Sequence, residues 1–412
     1  MIDSLINLFN SKIISNFYNT LEEKSLEKVA LLKCESYDVD LIENKIREGF
    51  NLLGGEKFLR ELIPPNSKVL LKPNLLSVEQ KESPVVTHYA VFEGVIRVLK
   101  EYSNNIVFGD SPGFGDGRKA AEKCGLLDIA KKYDIDYVDF AEGINVKLEN
   151  CLLCKSWNVA KAPYEADVVI TLPKLKTHAM AYFTGAVKNQ FGCIPGTEKA
   201  TWHTRMPKAN NFCKMLLDLN SVVKTSFAIM DGIIAMEGNG PKSGTPYKLN
   251  TIIMGKSITA VDSTAVRLIG YDNPLDTPVL KEAYDSNYGA VLPEDIEVLG
   301  ESIESMKAHD FQLCRKGGDF YFVNPKVTNF LRDLIAPSPS LVQEKCISCG
   351  RCKEVCPESP KAIEMIRKGT KEYPQWHMSK CIRCFCCQEL CPVGAIKIKQ
   401  GKIGKVINKG RR

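Results

Sequence analysis

Nine of the sixteen cysteines fall between Cys346 and Cys391, in two runs of identical spacing: Cys346-x2-Cys349-x2-Cys352-x3-Cys356-Pro357 and Cys381-x2-Cys384-x2-Cys387-x3-Cys391-Pro392. Each of these cysteines maps onto its counterpart by a shift of 35 residues, which makes the segment an internal repeat. Thiolates suit zinc and iron alike. Zinc, however, usually takes one CxxC pair from each of two loops, whereas three cysteines at x2 spacing wrap the corners of one iron–sulfur cube and the fourth, followed by proline, serves the other cube. The spacing therefore predicts two 4Fe-4S clusters: one on Cys346, Cys349, Cys352 and Cys391, the other on Cys381, Cys384, Cys387 and Cys356. Two zinc sites, or uncoordinated thiols, are the alternative. Cys386 is surplus to the pattern and is expected to pack behind a ligand.

A second set of chemistry-bearing residues follows short apolar runs further upstream. Lys72-Pro73-Asn74 comes after VLL, the loop Gly109–Gly117 after IVF, Lys174-Leu175-Lys176-Thr177-His178 after VVITL with one intervening proline, and Asp231-Gly232 after FAIM. Ligands of open parallel sheets bind beyond the carboxyl ends of strands, so these turns are expected on one edge. Lys174, Lys176 and His178 are expected to bind and protonate an anionic substrate, His178 because imidazole titrates near neutrality. Lys72, Asn74, Asp110, Gly113, Gly115, Lys188 and Asn189 are expected to bind it, the glycines by offering backbone N–H groups at a helix start. Asp110 and Asp231 would balance lysines or hold a metal. A solvated loop set is the bland alternative. The chain lacks GxxxxGK[ST], and its GxGxG falls short of GxGxxG, so neither an ATP nor an NAD motif is found. Cys151-x2-Cys154 reads as a structural pair and Cys193 as a buried thiol.

The elements that must position these groups follow from periodicity. Apolar runs at 29–34, 69–71, 106–108, 137–140, 168–172, 227–230, 251–254 and 296–299 alternate with helix-period segments, such as Ile42, Ile46, Phe50, Leu53 and Phe92, Val95, Ile96, Leu99. This pattern predicts an α/β fold, a mainly parallel sheet with flanking helices, plus a small C-terminal α+β two-cluster module. The expected organisation is a helical arm at 1–20, the α/β domain at 21–334, a linker at 335–342 (IAPSPSLV), the cluster domain at 343–397 and a basic tail at 398–412. The arm's apolar positions would dock on this chain or on a second copy.

Residues 343–397 resemble a bacterial two-cluster ferredoxin domain, including the CPVGAI after its last cysteine. The first half departs from that pattern with CPESPKAIEM, and 24 residues separate the two motifs. The resemblance implies a short wire of two cubes, each passing one electron at a time to a redox partner protein. The large domain resembles the domain-of-unknown-function family 362, on the blocks LLKPNLL (70–76), GDSPG (109–113), LPKLKTH (172–178), GAVKNQFGCIPG (185–196) and DGIIAMEGNGPKSG (231–244). That resemblance implies fusion to a ferredoxin module in anaerobes and no particular substrate.

Composition sets the remaining bounds. The 412 residues, 44% hydrophobic and 25% charged, make two or three folded domains. The net charge of +6 divides into +10 for residues 340–412 and −4 for the rest. A basic tail of this kind suggests nucleic acid, but the clusters' thiolates would cancel part of the charge, so nucleic acid is the weaker partner reading. The first twenty residues lack the features of a secretory signal, and no apolar run reaches 18 residues; a cytoplasmic chain without a membrane span is expected. Together these observations predict an iron–sulfur electron-transfer protein whose clusters serve a redox reaction at the strand ends, as a ferredoxin-dependent oxidoreductase. A non-enzymatic carrier with a partner-recognition domain, and a scaffold that delivers clusters or metal, are the rivals.

Overall fold

The computed structural model describes residues 26–314 and 338–399, apart from Phe114, Thr197, Pro207, Pro357, Ser359, Ile382 and Cys384. The expected arm at 1–20, and the expected basic tail beyond Lys399, lie outside the described residues.

The strands in chain order are β1 (Glu27–Lys33), β2 (Val69–Pro73), β3 (Ile106–Phe108), β4 (Asp136–Tyr137), β5 (Gly143–Lys147), β6 (Ser156–Ala160), β7 (Val168–Leu172), β8 (Lys174–His178) and β9 (Tyr182–Thr184). They continue with β10 (Phe227–Glu237), β11 (Thr245–Gly255), β12 (Ile296–Gly300), β13 (Ser338–Leu341), β14 (Ile363–Lys368), β15 (Lys371–Trp376) and β16 (Ile396–Lys399). The main sheet runs β12-β1-β11-β10-β7-β2-β3-β4, with β8 and β9 attached beside β10. Strands β10, β7, β2, β3 and β4 are mutually parallel, and β11 runs against both β10 and β1. The sheet is thus mainly parallel, as the apolar runs predict.

Side-chain alternation in the strands sends alternate residues to opposite faces, and both faces are covered. Leu70 and Val169 join one core layer with the helices Ala209–Val223 and Ile258–Leu268. Val69, Leu71, Val168, Ile170 and Leu172 join the other with Val39–Leu52 and Tyr89–Leu99. The helix Val39–Leu52 begins where Asp38 accepts the Leu41 N–H at 2.8 Å. It buries Ile42, Ile46 and Phe50 at i, i+4 spacing and stops at Gly54 and Gly55, whose φ values are +127° and +66°. Each such large apolar side chain contributes about 1.5–3 kcal/mol by leaving water. Among the described residues, no helix is long and apolar enough to cross a membrane.

The chain order gives the sheet its ligand edge. From β2 the chain moves outward through β3 to β4, then returns to place β7 on the other side of β2. The carboxyl ends of β2 and β7 therefore border a topological switch point, where an open α/β sheet leaves a crevice.

Three expectations need correction. The LPKLKTH segment is not a turn: Lys174–His178 is β8, a fully buried strand paired with β10 and β9. The run starting at Phe227 continues through Asp231 to Glu237, so Asp231 lies within a strand. The expected linker at 335–342 contributes β13 at Ser338–Leu341, which pairs antiparallel with β16 and so belongs to the cluster module. The 24 residues between the cysteine motifs hold the β14–β15 hairpin, whose two-residue loop turns at Gly369 with φ +67°.

Candidate functional site

A cavity of about 80 Å³, counted as positions open to the centre of a water molecule, lies at the switch point. This is room for several waters or one small molecule, since about 10–15 Å³ of such space suffices for a single water. Its walls come from the segments after β2 and β3, from β8 and from the cluster module. Asn74, Leu75 and Leu76 follow β2; Asp110, Ser111 and Gly113 follow β3; Lys176 lies on β8; and Cys386 and Leu390 come from the second cysteine motif. Thr184, Lys188, Asn189, Phe191, Gly192, Lys199 and Pro241 complete it.

The floor is a buried ion pair. Lys72 Nζ stands 2.8 Å from Asp110 Oδ1, with side chains 0% and 4% exposed. Lys72 also donates to Pro73 O at 3.0 Å and Asn189 Oδ1 at 3.3 Å, while Asp110 accepts the Leu75 and Ser111 N–H groups at 2.7 and 2.9 Å. Gly192 crosses directly over the pair, and a Cβ there would collide with both Asp110 Oδ1 and Lys72 Nζ. Lysines 176, 188 and 199 also line the cavity. Lys176 Nζ donates to Val85 O at 2.6 Å and Asn74 Oδ1 at 3.4 Å. Lys188 Nζ lies 5.6 Å from the centre of the Phe191 ring. Asn74 Nδ2 and Thr184 Oγ1, both buried, have no hydrogen-bond partner among the described residues. A buried polar atom without a partner costs about 1–3 kcal/mol, which a bound polar molecule or water would remove.

Of the residues expected to bind or act, the structure brings Asn74, Asp110, Gly113, Lys176, Lys188 and Asn189 together around the cavity. Lys72 lies beneath it. Lys174, His178 and Gly115 do not line it. Lys174 Nζ pairs with Asp231 Oδ2 and with Tyr37 Oη, each at 2.8 Å, and Tyr37 donates in turn to Asp231 Oδ1 at 3.0 Å. Burial pulls the Lys174 ammonium below its usual pKa and Asp231 opposes that shift. His178, expected to protonate a substrate, accepts the Met180 and Ala181 N–H groups on Nδ1 at 3.1 and 3.0 Å in the β8–β9 turn, which holds the ring as its neutral Nε2–H tautomer. Asp116 caps Gly117–Lys123 by accepting the Lys119 N–H at 2.8 Å.

Sequence reasoning missed Lys199, Ser111 and Cys386 as cavity residues. Lys199 Nζ donates to Ser111 Oγ and Ile194 O at 2.7 Å and to Pro112 O at 3.4 Å. Burial lowers its pKa to about 7, partly offset by Asp110. No local pattern marks it. Cys386, left over from the cluster spacing, packs with the core of the large domain.

The cysteines ring two separate cavities. Cys346, Cys349, Cys352 and Cys391 line one, and Cys356, Cys381 and Cys387 line the other, while Cys384 lies outside the described residues. Two sulfurs already accept backbone hydrogen bonds, Cys391 Sγ from Ala395 N at 3.2 Å and Cys356 Sγ from Ala362 N at 3.4 Å. Among the described residues no three His, Cys, Asp or Glu side chains converge as ligands of a single ion. Sulfurs spread around a cavity fit the corners of a four-iron cube.

A profile described as Domain of unknown function (DUF362) matches residues 69–267, and one described as a 4Fe-4S dicluster domain matches residues 345–395. The C-terminal module is therefore a ferredoxin-type domain with two 4Fe-4S clusters. A thylakoid-associated protein of Synechocystis sp. is 34% identical over 256 residues, which cover 62% of this chain and 78% of that protein. Among solved structures, the lactate racemase apoprotein of Thermoanaerobacterium thermosaccharolyticum aligns with a TM-score of 0.38 at 12% identity, over 58% of this chain and 56% of that one. A protein of Thermotoga maritima aligns at 0.35 and 15%, over 60% and 59%. The chain thus spans less than two thirds of the length of either solved structure. With its conspicuous blocks set at the carboxyl ends of a parallel sheet and a dicluster module fused behind them, the chain belongs to domain-of-unknown-function family 362.

Proposed function

We propose that this protein is a ferredoxin-dependent oxidoreductase that acts on a small anionic substrate in the switch-point cavity. The observation that carries the reading is the position of Cys386 and Leu390 in the cavity wall. A ligand held there lies beside the chain segment that bears Cys387. In the same reading, Cys346, Cys349, Cys352 and Cys391 hold one cluster, and Cys381, Cys384, Cys387 and Cys356 hold the other. When bound, the clusters supply electrons one at a time.

The protein's own residues do the rest. Lys176 and Lys188 attract and orient the anion, Asn74 Nδ2 donates to it, and Thr184 Oγ1 offers a second polar contact. Leu75, Leu76, Phe191 and Leu390 shield the reacting end from water. These walls favour a short carboxylate that carries a reducible carbonyl or carbon–carbon double bond over a large nucleotide. The compartment proposed is the cytoplasm, where reducing conditions keep thiols available to iron.

The test uses anaerobically purified, dithionite-reduced protein mixed with such carboxylates, with reoxidation followed by cluster absorbance. One class should accelerate reoxidation, and Lys188→Gln should slow it about tenfold, equivalent to about 1.4 kcal/mol of transition-state stabilisation. If reoxidation responds only to a partner protein and to none of the carboxylates, the oxidoreductase reading fails and the carrier reading replaces it.

A further inference from the structure

We propose that Lys199 and Ser111 form a proton relay into the switch-point cavity, in which the ammonium of Lys199 passes a proton to the Ser111 hydroxyl as that hydroxyl delivers its own hydrogen to the ligand. The inference rests on the cavity being the reaction site, as argued above.

The geometry assigns each hydrogen. A serine hydroxyl has one donor and two acceptor positions. Ser111 Oγ accepts from Lys199 Nζ at 2.7 Å and from the Gly196 N–H at 3.1 Å, so both acceptor positions are filled. Its own hydrogen is left to point elsewhere, and Ser111 lines the cavity. Lys199 is equally constrained. Its three contacts are Ser111 Oγ, Ile194 O and Pro112 O, all uncharged, and its side chain is 6% exposed. An ammonium seated among neutral acceptors, without a carboxylate in contact, gives up a proton more readily than one in a salt bridge. After transfer the neutral amine still donates to both carbonyls, and its lone pair faces the hydroxyl.

The surrounding charges set how far this goes. Asp110 and Lys72 act on Lys199 with opposite signs, and Cys193 and Glu198 favour its charged form weakly. Lys176 and Lys188 line the same cavity. Lys176 donates to Val85 O and Asn74 Oδ1, and Lys188 stacks against the Phe191 and Phe212 rings. A two-electron reduction of the ligand consumes two protons, of which the relay delivers one and solvent the other: the N–H bond of Lys199 breaks, the O–H of Ser111 is exchanged, the ligand gains that proton while its electrons come from the clusters, and the amine is reprotonated from solvent.

The test needs neither substrate nor electrons. The full-length holoprotein is trace-labelled with acetic anhydride at a series of pH values, and acetylation of each lysine is read by peptide mass spectrometry. Lys199 should become half-reactive near pH 7, well before the exposed lysines. Ser111→Ala should move that midpoint further down, because the ammonium loses an acceptor, and Ser111→Thr should restore it. Labelling of Lys199 only in the alkaline range of the exposed lysines, no labelling at any pH, or a midpoint indifferent to Ser111→Ala would each overturn the relay. Those outcomes leave the carboxylate-dependent reoxidation untouched, so failure here is distinct from failure of the proposed function.

Discussion

Gln388 Nε2 donates to the carbonyl oxygen of Gly240 at 3.3 Å, and the same amide reaches Asn239 O at 3.3 Å. The cluster module is thereby latched to the loop after β10 by a fully buried side chain. This latch explains why a residue two positions away, Cys386, can reach the wall of the cavity.

Breaking the latch leaves two carbonyls without their donor. Gln388→Leu should cost about 1–3 kcal/mol. Urea unfolding followed through cluster absorbance measures it, and an unchanged midpoint would show that the modules are held by other contacts.

The two adjacent cysteines should behave differently. Cys387→Ser should remove one cluster, lowering iron from about eight to about four per chain. Cys386→Ser should keep all of it, because Cys386 faces the large domain's core. Iron and sulfide analysis of the two anaerobically purified variants decides, and equal iron loss would contradict the ligand assignment.

Buried and half-buried lysines should separate in stability. Lys174→Met leaves Asp231 as a buried carboxylate without its cation and should cost about 3–5 kcal/mol. Tyr37→Phe removes hydrogen bonds within the same network, at about 1 kcal/mol each. Lys188→Gln, at a half-buried position, should cost less than Lys174→Met. Denaturant midpoints order the three, and a Lys188→Gln loss as large as that of Lys174→Met would give Lys188 a structural role.

Lys199 carries a pH signature. Its folded pKa of about 7 lies below the ordinary 10.5, so between those values the unfolded chain binds more protons than the folded one. Stability then rises with pH through this window, by up to about 1.36 kcal/mol per pH unit, and is lost as pH falls through 7. Lys199→Met should flatten that part of the profile. Denaturation at several pH values in both proteins tests this, and parallel profiles would contradict it.

The two-cluster module was legible because cube ligation is a local spacing rule. The parallel sheet was legible because strands buried on both faces must be apolar throughout, as VVITL at 168–172 is. The same reasoning misread Lys174–His178, where three titratable side chains in five residues disguise a buried strand whose charge is answered by Asp231 from the neighbouring strand. The GINVK and SWNVA strands, β5 and β6, were missed for a related reason: they form a short, partly exposed hairpin apart from the main sheet. The meeting of Lys199 with Ser111, 88 residues apart, and of both with Cys386 depends on long-range packing that no local pattern encodes.

The antiparallel zipper between β13 and β16 brings the chain's way into the iron–sulfur unit and its way out to one spot. A unit with its two ends side by side is topologically a cartridge. Its two ends leave at one point, so the segment that carries the eight cysteines is interrupted nowhere between them.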